Sequence, residues 1–345
     1  MTRSSTGALA LVESPAQLLN VLELAHESPD LQDVPIAVLA PKVGPTRDQL
    51  RAMVELASEA GHEMLWYEPR LGLGGPTAYW ALLGHLSDIE QLVIGDPFSG
   101  LVQSLFATSR PRPVTLVDDG TATLEFARRW AAGEPLIRWH RSFRPGSPRP
   151  LLTTARDLFA GTARRRLHDG GLRIFTAMPV ELPGVEVLSN AYAWTRSRFP
   201  APEVSEAADL VGTSLVETGV VRSERYLDGV RSLVDQYGVG RYFAHRKEGE
   251  EKLAHITAMG VAVVRPDLPL ELVARRGPVG RTVLSFPSTV LHTLPLVLDG
   301  TGVEVLVCDI GQDWYRSGAP DGADDFLARV TSTARAQHGL ATVAC

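Results

Sequence analysis

Short apolar runs alternate with longer amphipathic stretches along most of the chain. Four or five consecutive apolar residues are typical of a strand buried on both faces of a sheet, whereas an apolar residue every three or four positions predicts a helix. In the first half, this pattern predicts strands at 8–12, 36–40, 64–67, 91–95 and 114–117. It predicts helices at 14–26, 46–60, 77–86 and 121–132.

The second half repeats the alternation. The predicted strands are 208–211, 241–244, 261–264, 283–286 and 303–307. The predicted helices are 224–237, 250–259, one from Ser288, and 324–337. Strands that alternate with helices indicate parallel sheets covered on both faces. We therefore expect an α/β protein of two doubly wound, Rossmann-like domains, residues 1–200 and 201–345, that face a central cleft in a GT-B-like arrangement.

A segment of different chemistry lies in the first domain, at about 128–173. It holds eleven arginines against three acidic residues, with Trp130, Trp139 and Phe143 interleaved. One interpretation is a solvated helical face with a proline-rich loop; the other is a cationic surface for an anionic glycan or anionic lipid headgroups.

Composition narrows the class of protein. With 345 residues, 44% hydrophobic and 21% charged, the chain is long enough for two cores and is not disordered. A net charge of -6 argues against general nucleic-acid binding. Two cysteines build neither a zinc site nor a disulfide framework, and the longest uncharged run, 282–298, is too short to span a bilayer. We expect a cytoplasmic protein, with the arginine-rich segment as a peripheral contact to the inner face of the membrane.

Polar residues follow several of the predicted strands, where parallel sheets bind ligands. Ser14 and Pro15 open the first helix as N-cap and first helical residue. Asp118 and Asp119 follow the fifth strand, where adjacent carboxylates and burial would suit one of them to act as a general base. Gly120 then permits a turn next to substrate. Ordinary helix capping is the alternative interpretation of both clusters.

Two further clusters follow strands of the second half. His245 stands beside Arg246 and Lys247, which suits an anion site and donation to a departing phosphate, although an exposed loop histidine is the simpler alternative. Ser288 and Thr289 open a helix, where hydroxyls and free amides form a phosphate cradle or a plain N-cap. The chain has no Asp-x-Asp, Walker loop, Gly-x-Gly-x-x-Gly or Gly-x-Ser-x-Gly motif, so a metal–diphosphate clamp, ATPase, nicotinamide and hydrolase chemistry are not favoured.

Five motifs follow one another in a characteristic order: Glu13–Leu19, Asp118–Gly120, Gly212–Glu217, Tyr242–Glu248 and Ser288–Thr289. In this order the chain resembles bacterial sialyltransferases of the lipooligosaccharide and α-2,8-polysialyltransferase type, over about residues 8–298. One departure is that His245 is followed by Arg246 rather than by the family's proline.

The resemblance implies an inverting, metal-independent transfer of sialic acid or a related nonulosonic acid from a CMP-sugar to a glycan hydroxyl. It implies that Asp118 or Asp119 is the base, His245 the acid, and that no cofactor is used besides the CMP-activated donor. The implied donor-binding residues are Gly212, Thr213, Ser214, Glu217, Arg246, Glu248, Ser288 and Thr289. The implied cleft residues are Ser14, Pro15, Gln17 and Gly120.

The expected partners are the CMP-sugar, a glycan acceptor that is anionic or lipid-linked, and the anionic membrane, but no nucleic acid. Two alternatives stay open. The first is a GT-B transferase or epimerase that uses a UDP- or GDP-sugar, and the second is a non-catalytic nucleotide-sugar-binding scaffold in surface-polysaccharide assembly.

Overall fold

The computed structural model describes residues 7–42, 44–70, 74–137, 151–320 and 322–345. The chain divides into two compact units, one ending at Ala193 and the other running from Trp194 to Cys345. Each unit is built on a parallel sheet with helices in the connections, so the expected α/β class with two doubly wound sheets is confirmed.

The first unit contains a seven-stranded sheet in the order β3-β2-β1-β4-β5-β6-β7. Its strands are β1 (Ala8–Val12), β2 (Ile36–Leu39), β3 (Met64–Tyr67), β4 (Gln91–Ile94), β5 (Val114–Val117), β6 (Leu172–Thr176) and β7 (Glu186–Ser189). Its helices are α1 (Pro15–Glu27), α2 (Pro45–Glu59), α3 (Gly74–Asp88), α4 (Gly100–Thr108), α5 (Thr121–Ala131) and α6 (Leu151–Gly170), with a 3₁₀ turn at Pro29–Leu31. The chain reverses its direction of travel through the sheet between β1 and β4, which makes their carboxyl ends the switch point.

The first strand shows why these residues form a central strand. All five residues of β1 are buried, and β1 pairs in parallel with β2 and β4 at once. An apolar run without alternation fits this position because both faces of the strand are covered. The chain then turns into α1, where the Ser14 hydroxyl accepts the Gln17 N–H at 3.2 Å and Pro15 takes the first helical position.

The second unit follows α7 (Ala193–Arg198) and holds a six-stranded sheet in the order β11-β10-β9-β13-β14-β15. Its strands are β8 (Val204–Ser205), β9 (Ala208–Val211), β10 (Val239–Phe243), β11 (Ala262–Val264), β12 (Val279–Gly280), β13 (Thr282–Ser285), β14 (Glu304–Asp309) and β15 (Thr342–Ala344). Its helices are α8 (Ser223–Tyr237), α9 (Glu250–Thr257), α10 (Leu270–Arg276), α11 (Val290–Val297) and α12 (Ala323–His338), with a 3₁₀ turn at Gln312–Trp314. β8 and β12 pair with each other outside the main sheet, whose switch point lies between β9 and β13.

The pattern did not predict every element or boundary. It missed α4, α6, α7, β6, β7, α10, β15 and the β8–β12 pair. The helix expected from Ser288 begins at Val290 instead, with Thr289 as its N-cap residue. The reason is local, because the first turn is tighter than an α-helix: the Leu291 N–H donates to the Ser288 carbonyl at 3.3 Å and the His292 N–H to the Thr289 carbonyl at 2.9 Å.

Candidate functional site

Asp118 lies at the carboxyl end of β5 and is almost completely buried, at 2% exposure. Its Oδ2 accepts hydrogen bonds from the Thr176 hydroxyl at 2.7 Å and from the Ala177 N–H at 2.9 Å. Its backbone carbonyl accepts from Asn20 Nδ2 at 3.0 Å. Asp118 therefore joins the ends of β5 and β6, which is a structural task.

Asp119, the next residue, has different surroundings. It is partly exposed, and its Oδ1 accepts from the Ser14 hydroxyl at 3.3 Å. Its backbone N–H donates to Thr123 Oγ1 at 3.2 Å in the first turn of α5. Of the two adjacent carboxylates, Asp119 is the one that solvent and a ligand can reach.

The turn between β1 and α1 brings the other expected cleft residues to the same edge. Ser14 contacts Asp119, and Gln17 Oε1 accepts the Glu13 N–H at 2.7 Å. Gln17 is buried, and a Cβ at Gly95 would overlap its side chain, so Gln17 supports the turn from inside. Gly120 has φ +66°, a conformation that side chains rarely adopt.

Glu13 lies in the first of the five motifs but was not among the predicted site residues. Its Oε1 accepts from Arg70 Nη2 at 2.6 Å and from the Ser99 hydroxyl at 2.9 Å. Burial raises the pKa of Glu13, Asp96 raises it further, and Arg70 opposes the shift. Because Glu13 follows β1 and Ser99 follows β4, this cluster lies at the switch point of the first sheet. Its position directly after a buried strand was the signal that could have identified it.

In the second unit, three neighbouring strands end in the expected donor-binding loops. Gly212 and Thr213 follow β9, His245 follows β10, and Ser288 follows β13. Since the sheet order is β10-β9-β13, the structure brings these loops together at one carboxyl edge, next to the switch point.

His245 is partly buried and is held at both its backbone and its ring. Its backbone N–H donates to Glu248 Oε1 at 2.6 Å, and Nδ1 accepts the Lys247 N–H at 3.2 Å. Desolvation, Arg246 and Lys247 lower the pKa of His245 to about 4, against the smaller opposing effect of Glu217. At neutral pH the ring is therefore uncharged, and its proton lies on Nε2 because Nδ1 is an acceptor.

Several expected donor-binding residues support the loops from inside. Thr213 and Glu248 are buried, at 5% and 4% exposure. A Cβ at Gly212 would overlap the carboxylate of Glu248 and the hydroxyl of Tyr242, so these two side chains pack directly against the Gly212 backbone. In the loop after β9, Ser214 is partly exposed and Glu217 is exposed.

Ser288 and Thr289 are partly exposed and lead into α11. The N-terminus of a helix presents backbone N–H groups and a partial positive charge, both of which favour a phosphate. Glu271, on the neighbouring α10, was not predicted; it accepts from Thr293 Oγ1 at 2.7 Å, and burial raises its pKa.

Some arginines of the arginine-rich segment make ion pairs and hydrogen bonds within the fold. Arg128 pairs with Glu134 at 2.9 Å, and Arg164 donates to the Trp130 carbonyl at 3.0 Å while its guanidinium lies 4.8 Å from the ring of Trp130. The Arg164 contacts join α6 to α5, and the Arg128 pair joins α5 to the loop that follows it. Residues 138–150, with four more of the arginines and the interleaved aromatics Trp139 and Phe143, lie outside the described residues.

The described residues contain no group of three or more His, Cys, Asp or Glu side chains arranged to hold a metal ion. None of the helices found in the described ranges is long and apolar enough to cross a membrane.

No family model and no curated protein sequence matches the chain. Solved structures do match. The α/β-galactoside α-2,3-sialyltransferase from the luminous marine bacterium Photobacterium phosphoreum is 11% identical, covers 97% of each chain and has a TM-score of 0.53. Escherichia coli heptosyltransferase WaaC with ADP-2-deoxy-2-fluoro heptose is 12% identical over 96% of this chain and 98% of that one, with a TM-score of 0.42. Acinetobacter baumannii MurG is 10% identical over 98% and 85%, with a TM-score of 0.41. The likeness to the sialyltransferase shows that the chain has a GT-B fold.

Proposed function

We propose that this chain is a glycosyltransferase that moves sialic acid, or a related nonulosonic acid, from a CMP-sugar to a hydroxyl of a glycan acceptor. The observation that carries the proposal is that three adjacent strands of the second sheet lead into loops that hold Gly212, His245 and Ser288. The fold that the chain shares with the α-2,3-sialyltransferase, over 97% of both chains, supports it.

The second unit supplies the donor site in this proposal. The Nε2–H of His245, the hydroxyls of Ser288 and Thr289, and the N-terminus of α11 are suited to hold one phosphate group. A CMP-sugar leaves on a single phosphate, so hydrogen bonds and the helix terminus stabilise the leaving group without a cofactor.

The first unit supplies the base, and we assign this role to Asp119. Asp118 is the less suitable candidate because its carboxylate is buried and holds Thr176 and Ala177. Asp119 is partly exposed and hydrogen-bonded to Ser14, so an acceptor hydroxyl can approach it.

The transfer follows from these roles. The acceptor oxygen forms a bond to the anomeric carbon from the face opposite the phosphate, and its proton passes to the Asp119 carboxylate. The bond between the anomeric carbon and the phosphate oxygen breaks, and its electron pair leaves with CMP. The negative charge that develops on that oxygen is stabilised by His245 Nε2–H and the hydroxyls. One displacement inverts the configuration of the sugar.

The acceptor is a glycan that is anionic or lipid-linked, and we place it at the switch point of the first sheet, beside Glu13 and Arg70.

A contact with an anionic membrane is part of the same proposal. On α6, Leu158 is 64% exposed and Phe159 37% exposed, and Arg165 is exposed about two turns further on. Apolar and cationic side chains together suit the headgroup region of a bilayer. Flotation with anionic and with neutral liposomes tests it, and equal flotation with both would contradict it.

The decisive experiment measures CMP release from CMP-sialic acid with and without glycan acceptors. Asp119→Asn and His245→Gln should each lower acceptor-dependent release by roughly 10²–10⁴-fold. Asp235→Asn and His255→Gln, exposed residues of α8 and α9, are the matched controls and should release CMP at the wild-type rate. Unchanged release by both site variants would disprove the assignment.

Thermal-shift titration with CMP, UDP and GDP separates the main alternatives. Stabilisation by CMP alone supports the proposal, whereas preference for UDP or GDP indicates a different GT-B transferase or an epimerase. Nucleotide binding without release under any acceptor condition indicates a non-catalytic scaffold.

A further inference from the structure

Lys252, in the first turns of α9, is a buried cation with several partners. Its residue exposure is 5%, and its ammonium group donates to the Thr213 carbonyl at 2.9 Å. It also lies 3.1 Å from Glu217 Oε2 and 3.0 Å from Glu248 Oε2. The same nitrogen lies 4.4 Å from the ring centre of Tyr226. Lys252 thereby contacts the loop after β9 and the loop after β10 at once.

Glu248 connects this cation to His245. Its Oε1 accepts the His245 backbone N–H at 2.6 Å, and its Oε2 accepts the Tyr242 hydroxyl at 2.6 Å. The Tyr242 and Tyr226 hydroxyls are 2.7 Å apart, which continues the buried network. Burial raises the pKa of Glu248, and Lys252 is the largest influence that keeps the carboxylate charged.

Glu217 makes the second connection between the loops. While its Oε2 binds Lys252, its Oε1 accepts the Gly249 N–H at 3.1 Å, just after Glu248. The backbone of Gly212 packs so closely on Glu248 that a Cβ would overlap it. One ammonium and two carboxylates therefore join the turns that carry Gly212 and His245.

A buried ion network of this kind is weak evidence for stability. Removing Lys252 and Glu248 from water costs free energy that their attraction only partly returns, and well-packed apolar residues often stabilise a core better. A network whose contacts all lie at the carboxyl edge of β9 and β10 does have a second consequence, because it fixes the position of the residues at that edge.

We infer that Lys252, acting through Glu248 and Glu217, is the positioning residue that holds His245 in place for the donor phosphate. This inference rests on the proposed function. Displacing a group at a reacting centre by about 1 Å can cost on the order of 10²-fold in rate. Loss of the Lys252 contacts should therefore reduce turnover rather than abolish folding of the unit.

The test compares Lys252→Met with wild type by two independent measurements. NMR titration of the histidine ring, assigned with His245→Gln, reports the pKa of His245 without any turnover. The charged groups that act on His245 are Arg246, Lys247, Glu217 and Lys252. Because the Lys252 charge lowers that pKa, Lys252→Met should raise it, and CMP release should fall by roughly 10- to 100-fold.

Asp209→Asn is the matched control. Asp209 is buried at 1% exposure and pairs with Arg241 at 2.7 Å, at the amino-terminal half of β9 and away from the loops. It should lower stability while leaving both the His245 pKa and the rate of CMP release unchanged. An unchanged His245 pKa and rate in Lys252→Met would overturn the inference.

Should Lys252→Met fail to fold, Glu217→Gln and Tyr242→Phe remove single contacts of the same network. Each should shift the His245 pKa and lower turnover, with Glu217→Gln keeping an acceptor for the Gly249 N–H. If neither shifts that pKa, the inference is wrong. If wild type releases no CMP from any CMP-sugar while the pKa shifts occur, the proposed function fails and the coupling of Lys252 to His245 stands.

Discussion

Asp118 and Asp119 are adjacent in the chain, yet the carboxylate of Asp118 is buried against Thr176 and Ala177 while that of Asp119 contacts Ser14 and is partly exposed. The peptide between them turns at the end of β5, so consecutive side chains meet different surroundings. One residue supports the loop after β6, and the other is available to a substrate.

The two aspartates should respond differently to the same substitution. Asp118→Asn weakens two charge-assisted hydrogen bonds in the interior, so the free energy of unfolding should fall by about 1–3 kcal/mol. Asp119→Asn should leave stability within about 0.5 kcal/mol and lower CMP release by at least about 100-fold. Urea denaturation and a release assay measure the two effects. The reverse assignment, with stability lost at Asp119 and activity at Asp118, would contradict our choice of base.

CMP should bind more tightly as the pH falls from about 7 to about 5. In the free protein the pKa of His245 is about 4, so the ring is neutral over this range. A bound phosphate favours the charged ring and raises that pKa, so binding takes up a proton. Calorimetry at several pH values measures the dependence.

The CMP phosphate itself titrates, with a second pKa of about 6, and His245→Gln provides the control for it. The part of the pH dependence that belongs to His245 should disappear in that variant. An identical pH dependence in both proteins would show that His245 does not contact the phosphate.

His245 should also make the fold less stable in acid. Its pKa in the folded protein is about 4, below the value of about 6.5 in an unfolded chain. Between these values the unfolded state binds the proton and the folded state does not, so the free energy of unfolding rises with pH from about 4 to about 6.5. Denaturation across this range should show a shallower slope for His245→Gln, and His255→Gln, at an exposed position, should keep the wild-type slope.

Gly212→Ala should disturb the donor site through a single methyl group. The added Cβ would overlap the side chains of Glu248 and Tyr242, so these side chains or the Gly212 backbone must shift. We expect a loss of about 1–3 kcal/mol in stability and a weaker affinity for CMP. Gly318→Ala is the control, since the space around Gly318 is open. Unchanged melting temperature and CMP affinity in Gly212→Ala would contradict this packing.

The elements that could be predicted are those whose pattern is local. β1 and β5 are apolar runs buried on both faces, and α1 carries a serine cap followed by proline. β7 has the sequence Glu-Val-Leu-Ser and forms the partly exposed edge of its sheet, so its sequence lacks the apolar run. α6 was hidden for a similar reason, because its arginines and threonines obscured the helical period.

The candidate site also has a part that the sequence predicts and a part that it does not. The loops after β5, β9, β10 and β13 could be identified because polar residues follow apolar strands, and the carboxyl ends of parallel strands share one edge. The only sequence signal of the Lys252 ion pair was its spacing of four residues from Glu248, and this spacing is equally typical of an exposed pair on a helix. Its burial depends on the packing of two loops that are distant in the chain.

The sequence by itself determined the strand–helix alternation, the α/β class and the loops in which the chemistry lies, because hydrophobic periodicity and turn residues act over a few positions. The tertiary structure alone decided which aspartate reaches solvent, the neutral state of His245 and the burial of Lys252 between Glu217 and Glu248. Solvent access and electrostatic surroundings depend on residues that the fold brings together from remote parts of the chain. A local sequence pattern therefore does not predict either property.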